Sequence, residues 1–338
     1  MRKVRIGIWG FGAMGTGMAN MILKKDGMEI VSVCSRSTAG KSIYDVLDIE
    51  RGDRNEVIIN GNYEEAFTEK SCDVVLLATD SFTKKAFDKI IYLLEKKINV
   101  ISTAEQMAYP QADDPDLAKK MDEVAKENGV SVLGTGINPG FVLDLLVLAL
   151  SPFGKAVMVE QGVGVSKEEF LKGVENNTIA GHVGFVESIN MIADGLGWKL
   201  DKIEQTKEPI MTTVDRQSKY GEALAGNVAG CRQCGYGYVN GKVLVEMEHP
   251  QQIIPEAEGT KTGDYISIKG IPNIDLQINP EIPGGIGTYA MIVNSIPLII
   301  NARPGLKTML DIPVPRAIMG DVRDQIEVEL EEDATVEI

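Results

Sequence analysis

Six residues, Gly10-Phe11-Gly12-Ala13-Met14-Gly15, follow directly on the apolar stretch Val4-Arg5-Ile6-Gly7-Ile8-Trp9 and lead into helix-forming residues at 16–25. Few local patterns restrict a fold so tightly. A strand running straight into a glycine turn and a helix uses the first glycine for the turn and the second so that no side chain blocks a pyrophosphate. The third permits close helix–strand packing, and the unpaired N–H groups of the helix start complete an anion site. The chain is therefore expected to open with a βαβ dinucleotide-binding unit, with Gly10, Phe11, Gly12, Ala13, Met14 and Gly15 lying against the cofactor.

The second strand, residues 29–34, ends in Ser35-Arg36-Ser37. NAD-specific sites usually place Asp or Glu at this point to hold the ribose 2′-hydroxyl. Two hydroxyls and a guanidinium suit a 2′-phosphate instead, so NADP is favoured over NAD, with tolerance of both the weaker expectation. Residues 73–79 form a continuous apolar run, as in a parallel strand buried on both faces. Its carboxyl end puts Ala78 and Thr79 beside the cofactor. Helices at 83–96 and 115–128 alternate with strands at 99–102 and 130–133, and the turn Gly134-Thr135-Gly136-Ile137-Asn138-Pro139-Gly140 follows. This alternation predicts a doubly wound parallel sheet, a Rossmann domain covering residues 1–150.

The pattern changes beyond residue 150. Strand-like pieces at 156–165, 211–215, 235–239, 243–247 and 265–268 are separated by turn residues, and Asn240-Gly241 is a hairpin signal. With helices at 167–176 and 183–196, residues 151–285 read as an α+β domain for substrate binding and oligomerisation, built on a mostly antiparallel sheet. Residues 286–338 are expected to return to the first domain, leaving substrate between the two. At 338 residues the chain is long enough for two cores.

A formal charge of −15 with dispersed Lys and Arg argues against a nucleic-acid partner. No apolar run is long and unbroken enough for a membrane span, and the first residues lack a signal-peptide pattern. Cys34, Cys72, Cys231 and Cys234 suit a reducing compartment, hence the cytoplasm. The Cys231-x-x-Cys234 pair lacks the second half of a metal site, so no metal is expected.

Four blocks carry a family likeness: Ile101-Ser102-Thr103-Ala104-Glu105-Gln106-Met107-Ala108-Tyr109-Pro110, Gly134-Thr135-Gly136-Ile137-Asn138-Pro139-Gly140-Phe141, Ala180-Gly181-His182-Val183-Gly184 and Pro304-Gly305-Leu306-Lys307-Thr308-Met309. They resemble the 2,4-diaminopentanoate dehydrogenases of ornithine degradation, whose fold is similar to that of dihydrodipicolinate reductase and meso-diaminopimelate dehydrogenase. The resemblance implies NAD(P)-dependent oxidative deamination of a small diamino acid at C4, and a homodimer or homotetramer. A diaminopimelate-type dehydrogenase or dihydrodipicolinate-type reductase is the competing enzyme reading. The dihydrodipicolinate reductase His-His-x-x-x-Lys block is absent here, so its acid–base assignment does not transfer. A non-catalytic NAD(P)H sensor is the reading from another class.

Hydride leaves an amine-bearing carbon only when the amine is neutral, so a base is needed, and water must then attack the imine. His182, between glycines, is the first candidate because imidazole titrates near neutrality. Glu105, beyond a strand's carboxyl end, is the second. Asn138 offers an amide to cofactor or substrate, Gly136 approaches the cofactor, and Asp144 is placed to meet a substrate amine. For the substrate carboxylate a guanidinium is expected, Arg232 first and Arg216 second.

Overall fold

The computed structural model describes residues 1–149, 163–176, 178–179, 181–218, 221–270 and 273–330. The chain divides into two compact units, Met1–Gly136 with Gly285–Ile338, and Ile137–Gly284. The first opens with β1 (Val4–Trp9), α1 (Ala13–Ile22), β2 (Met28–Cys34), α2 (Ile43–Leu47), α3 (Tyr63–Ala66), β3 (Val74–Leu77), α4 (Thr83–Glu95), β4 (Asn99–Ser102), α5 (Pro115–Asn128) and β5 (Ser131–Gly134). β3 and β5 are buried at every position, as strands covered on both faces must be. α4 meets the sheet through Ala86, Ile90, Leu93 and Leu94, spaced three or four apart. Burying each of its larger apolar side chains contributes about 1.5–3 kcal/mol. Proline in the first turn of α5 and a left-handed Gly129 after it fix that helix's ends.

β2, β1, β3, β4 and β5 lie side by side in that order, all parallel. A single parallel bridge joins Cys34 to Asn60 on the far side of β2. With that remnant counted as a strand, the order is the dinucleotide-binding one, and the reversal point falls between β1 and β3, at Gly10 and Ala78.

The second unit contains α6 (Leu145–Ala149), α7 (Lys167–Glu175), α8 (Phe185–Gly195), β6 (Lys202–Met211), β7 (Arg216–Ser218), β8 (Gly221–Ala223), β9 (Val228–Val239), β10 (Lys242–Gln252), β11 (Asp264–Ile268) and β12 (Ile274–Ile278). Ser166 and Glu169 close a capping box on α7. β10, β9 and β6 form an antiparallel sheet, with Asn240 and Gly241 both at positive φ in the β9–β10 turn. Phe185, Ile189 and Ile192 of α8 pack with Val245 and Met247 of β10.

Two expectations are corrected here. The boundary falls at residue 136 rather than 150, because the 138–145 turn is tied to α8. Residues 202–211, not 211–215, form the strand. Its charged sequence and Pro209 disguised it, yet β6 is an edge strand, where proline is tolerated. Of the expected strand at 156–165, residues 156–162 lie outside the described residues, and 163–165 form a turn and bend.

The chain re-enters the first unit through α9 (Gly284–Ile300), and β13 (Gly305–Lys307) adds a sixth parallel strand beside β5. Residues 308–330 run on along this unit. Val322 N–H donates to Asp26 O at 3.1 Å, and Lys25 Nζ donates to Ile318 O at 2.9 Å. No helix among the described residues is long and apolar enough to cross a membrane.

Candidate active site

The cofactor-side residues belong to the first unit. Gly10 has φ +99°, and its N–H donates to Cys34 O at 2.9 Å, drawing the loop against the end of β2. A Cβ on Gly10 would stand 2.4 Å from Ala78 O, and one on Gly15 would stand 2.0 Å from Gly10 O. A Cβ on Gly12 would meet nothing within 4 Å. Two of the glycines thus let backbone meet backbone, and Gly12 keeps open ground in front of α1, whose first N–H groups have no carbonyl of their own helix to meet. This is the space a pyrophosphate needs. Phe11 is buried, while Gly12 and Ala13 are exposed.

Ala78 N–H donates to Trp9 O at 2.8 Å, which sets the end of β3 beside the loop with Thr79 exposed. At the end of β2, Ser35 is buried with its Oγ 3.3 Å from Ser37 Oγ, and Arg36 is exposed. Glu105 is half-buried and opens the 3₁₀ turn Glu105–Ala108 after β4. Gly136 is buried where the chain leaves the first unit.

The second unit gathers the remaining candidates around one turn. Asp144 is fully buried and accepts from Gly140 N–H (2.9 Å), Leu145 N–H (2.6 Å) and Ser188 Oγ–H (2.8 Å). Burial raises the pKa of its carboxyl, and these donors pull the other way. The expectation that Asp144 meets substrate is corrected, since its oxygens are engaged in fastening the turn to α8. Gly184, the N-cap of α8, has φ +112°, and a Cβ there would stand 2.5 Å from Pro139 Cδ. Beside Pro139, Asn138 is 9% exposed, and both polar atoms of its side chain are buried without a hydrogen-bond partner among the described residues. Each such orphan carries a desolvation cost of about 1–3 kcal/mol, which makes this amide a candidate contact for a bound group.

His182 lies between Gly181 and Gly184 on the same loop. Its backbone N–H donates to Gln233 Oε1 at 2.6 Å, and Gln233 Nε2 donates to the His182 backbone O at 3.1 Å and to Gln205 Oε1 at 2.8 Å. The ring meets that of His249 edge-on at 4.6 Å. Burial pushes the His182 imidazole down to about 4, and His249 is lowered by burial and by His182. In place of the expected titration near neutrality, burial favours the neutral imidazole, whose Nδ1 is buried without a hydrogen-bond partner among the described residues.

Neither guanidinium is free for a carboxylate. Arg232 is bound by Glu248, with both oxygens at 2.8 Å, and by Glu208 at 3.1 Å. As the neighbour of Gln233 on β9 it points to the opposite face from the His182 loop. Arg216 is buried among Thr212, Gln252, Ile253 and Glu258. Sequence reasoning passes over Gln233 and the buried Glu187 in the first turn of α8, and it sets His249 aside as a residue of a polar loop, whereas His249 is buried on β10. The signal for His249 was present: Val245, Met247, His249 and Gln251 alternate on the buried face of β10.

The open-fronted glycine loop on a parallel sheet defines a dinucleotide-binding protein. Residues 5–132 match the semialdehyde dehydrogenase NAD-binding domain, and residues 142–328 match the 2,4-diaminopentanoate dehydrogenase C-terminal domain. A 2,4-diaminopentanoate dehydrogenase of Acetoanaerobium sticklandii is 60% identical, over 97% of this chain and 99% of that protein. An amine dehydrogenase of Streptomyces virginiae is 27% identical over 62% of this chain and 67% of its own length. The fold is shared with an amine dehydrogenase from Mycobacterium smegmatis, with TM-score 0.81 and 23% identity over 94% of this chain and 98% of that one. The chain belongs to the 2,4-diaminopentanoate dehydrogenase family and binds a nicotinamide dinucleotide.

Proposed function

We propose that this protein oxidises the C4 amine of 2,4-diaminopentanoate with NAD(P), giving 2-amino-4-oxopentanoate and ammonia, with NADP preferred. The 60% identity that runs the whole length of the Acetoanaerobium sticklandii enzyme carries the reading. Bound at the Gly10–Gly15 loop, the cofactor supplies the acceptor for the C4 hydride, and Ser35, Arg36 and Ser37 would hold its 2′-phosphate.

The substrate arrives as a cation and must lose a proton from the C4 ammonium before hydride can leave. Glu105 is the base in this reading. A carboxylate attracts the ammonium and becomes neutral on taking its proton, whereas burial penalises the charged form that His182 would acquire. Water then adds to the C4 imine, and the resulting carbinolamine expels ammonia to leave the ketone. Asn138 orients the reacting amine or the nicotinamide amide, and His182, its ring neutral, is held in place through its backbone by Gln233. A reducing, cytoplasmic setting and assembly as a homodimer or homotetramer belong to the same reading.

Steady-state production of NAD(P)H from 2,4-diaminopentanoate tests the activity, and its absence removes the reading. The base is tested by substitution. Glu105→Gln should lower the turnover number by about 10²–10⁴-fold with cofactor affinity retained. His182→Asn should leave the acidic limb of the pH profile where it is, because an imidazole titrating near 4 is already neutral throughout the range above it. A limb between pH 6 and 7 that disappears in His182→Asn would reverse the two assignments.

A further inference from the structure

We propose that Lys207 is the cation that receives the substrate carboxylate, and that it makes the site select an amino-acid amine over a plain amine. The proposal rests on the function argued above. A diamino acid bound at the His182 loop brings a carboxylate that water no longer solvates fully, and a cation must meet it. Arg232 and Arg216 are committed to Glu248, Glu208 and Glu258. Lys207 is the one lysine among the described residues of this unit that is not exposed.

Three contacts place it. Lys207 faces Gln233 directly across the β6–β9 pairing, so both side chains rise from the sheet face that carries the loop. Gln233 clamps the backbone of His182 on both sides. The Lys207 stem passes beneath that loop, since a Cβ on Gly181 would stand 2.8 Å from Lys207 Cε. At the tip, Lys207 Nζ donates to Ile179 O at 3.2 Å, which leaves two of its three N–H donors for another acceptor. No carboxylate of the described residues forms an ion pair with it. Burial lowers its pKa, the mark of an ammonium that has lost part of its hydration and gains from an opposite charge.

The test compares 2,4-diaminopentanoate with its primary amide, which keeps both amines and removes the negative charge. The wild-type protein should favour the acid in kcat/KM. Lys207→Met should lower kcat/KM for the acid by about 10–100-fold, chiefly through KM, while leaving the amide unchanged. Lys207→Arg should keep most of the preference. Cofactor affinity and the melting temperature report that the variants are folded. An equal loss on acid and amide would assign Lys207 to structure alone, and an unchanged KM for the acid would place the carboxylate elsewhere. Either result overturns the proposal. No turnover of either amine by the wild-type protein would instead remove the function and this proposal together, an outcome distinct from failure of Lys207 alone.

Discussion

Arg36 stands exposed two residues beyond the carbonyl that holds Gly10, and it forms no ion pair among the described residues. In the NADP-preferring reading proposed above, a guanidinium so placed would meet the 2′-phosphate. Arg36→Ala should weaken NADP binding by about 1–3 kcal/mol, the lower end reflecting solvent screening, and leave NAD binding nearly unchanged. Isothermal titration with each cofactor checks this, and an equal loss for both would reject the contact. The positions of such residues are legible in the sequence because they are set locally: a glycine beside a strand, a cation at a strand's end. Asp144 and Arg232 were misread for the opposite reason. Their partners, Ser188 for one and Glu208 and Glu248 for the other, lie 44, 24 and 16 positions away, and only the fold brings them together.

The turn at 138–140, Asp144 and the start of α8 behave as a single element, with Gly184 as its pivot. An L residue at φ +112° is strained by about 1–3 kcal/mol. The added methyl would also press on Pro139, and through it on Asn138. Gly184→Ala should therefore lower the melting temperature and raise the KM for the amine substrate, with cofactor affinity retained because the glycine loop belongs to the first unit. Gly197→Ala is the control: φ there is +71°, and a Cβ meets nothing within 4 Å. If Gly197→Ala impairs the KM as much as Gly184→Ala does, packing against Pro139 has no special role. At this scale periodicity was a good guide to α4, α5 and α8, where one face is apolar. It failed at β6, because an edge strand has little need of apolar alternation.

The first unit is assembled from two stretches of chain separated by the whole of the second, and its stability depends on the later stretch. β13 covers the edge of β5, Leu306 N–H donates to Asp122 Oδ1 at 3.1 Å, and Thr135 Oγ1 lies 3.1 Å from Met309 Sδ. Met309, Ile312, Ile318, Val322 and Ile326 are buried. Five such side chains at about 1.5–3 kcal/mol each give an upper estimate of roughly 7–15 kcal/mol, comparable to the entire stability of an ordinary domain. Ending the chain at residue 303 would remove all of this and leave β5 as an unpaired edge. The shortened protein should lose cofactor binding and give rapid amide exchange in β1 and β3. Because the second unit is one unbroken stretch, Ile137–Gly284, the β9–β10 amides should stay protected. Hydrogen exchange resolved by segment checks both expectations. Retained cofactor affinity in the shortened chain would show that the strands up to β5 suffice for the first unit, and loss of β9–β10 protection would show that the second unit depends on the first for its fold.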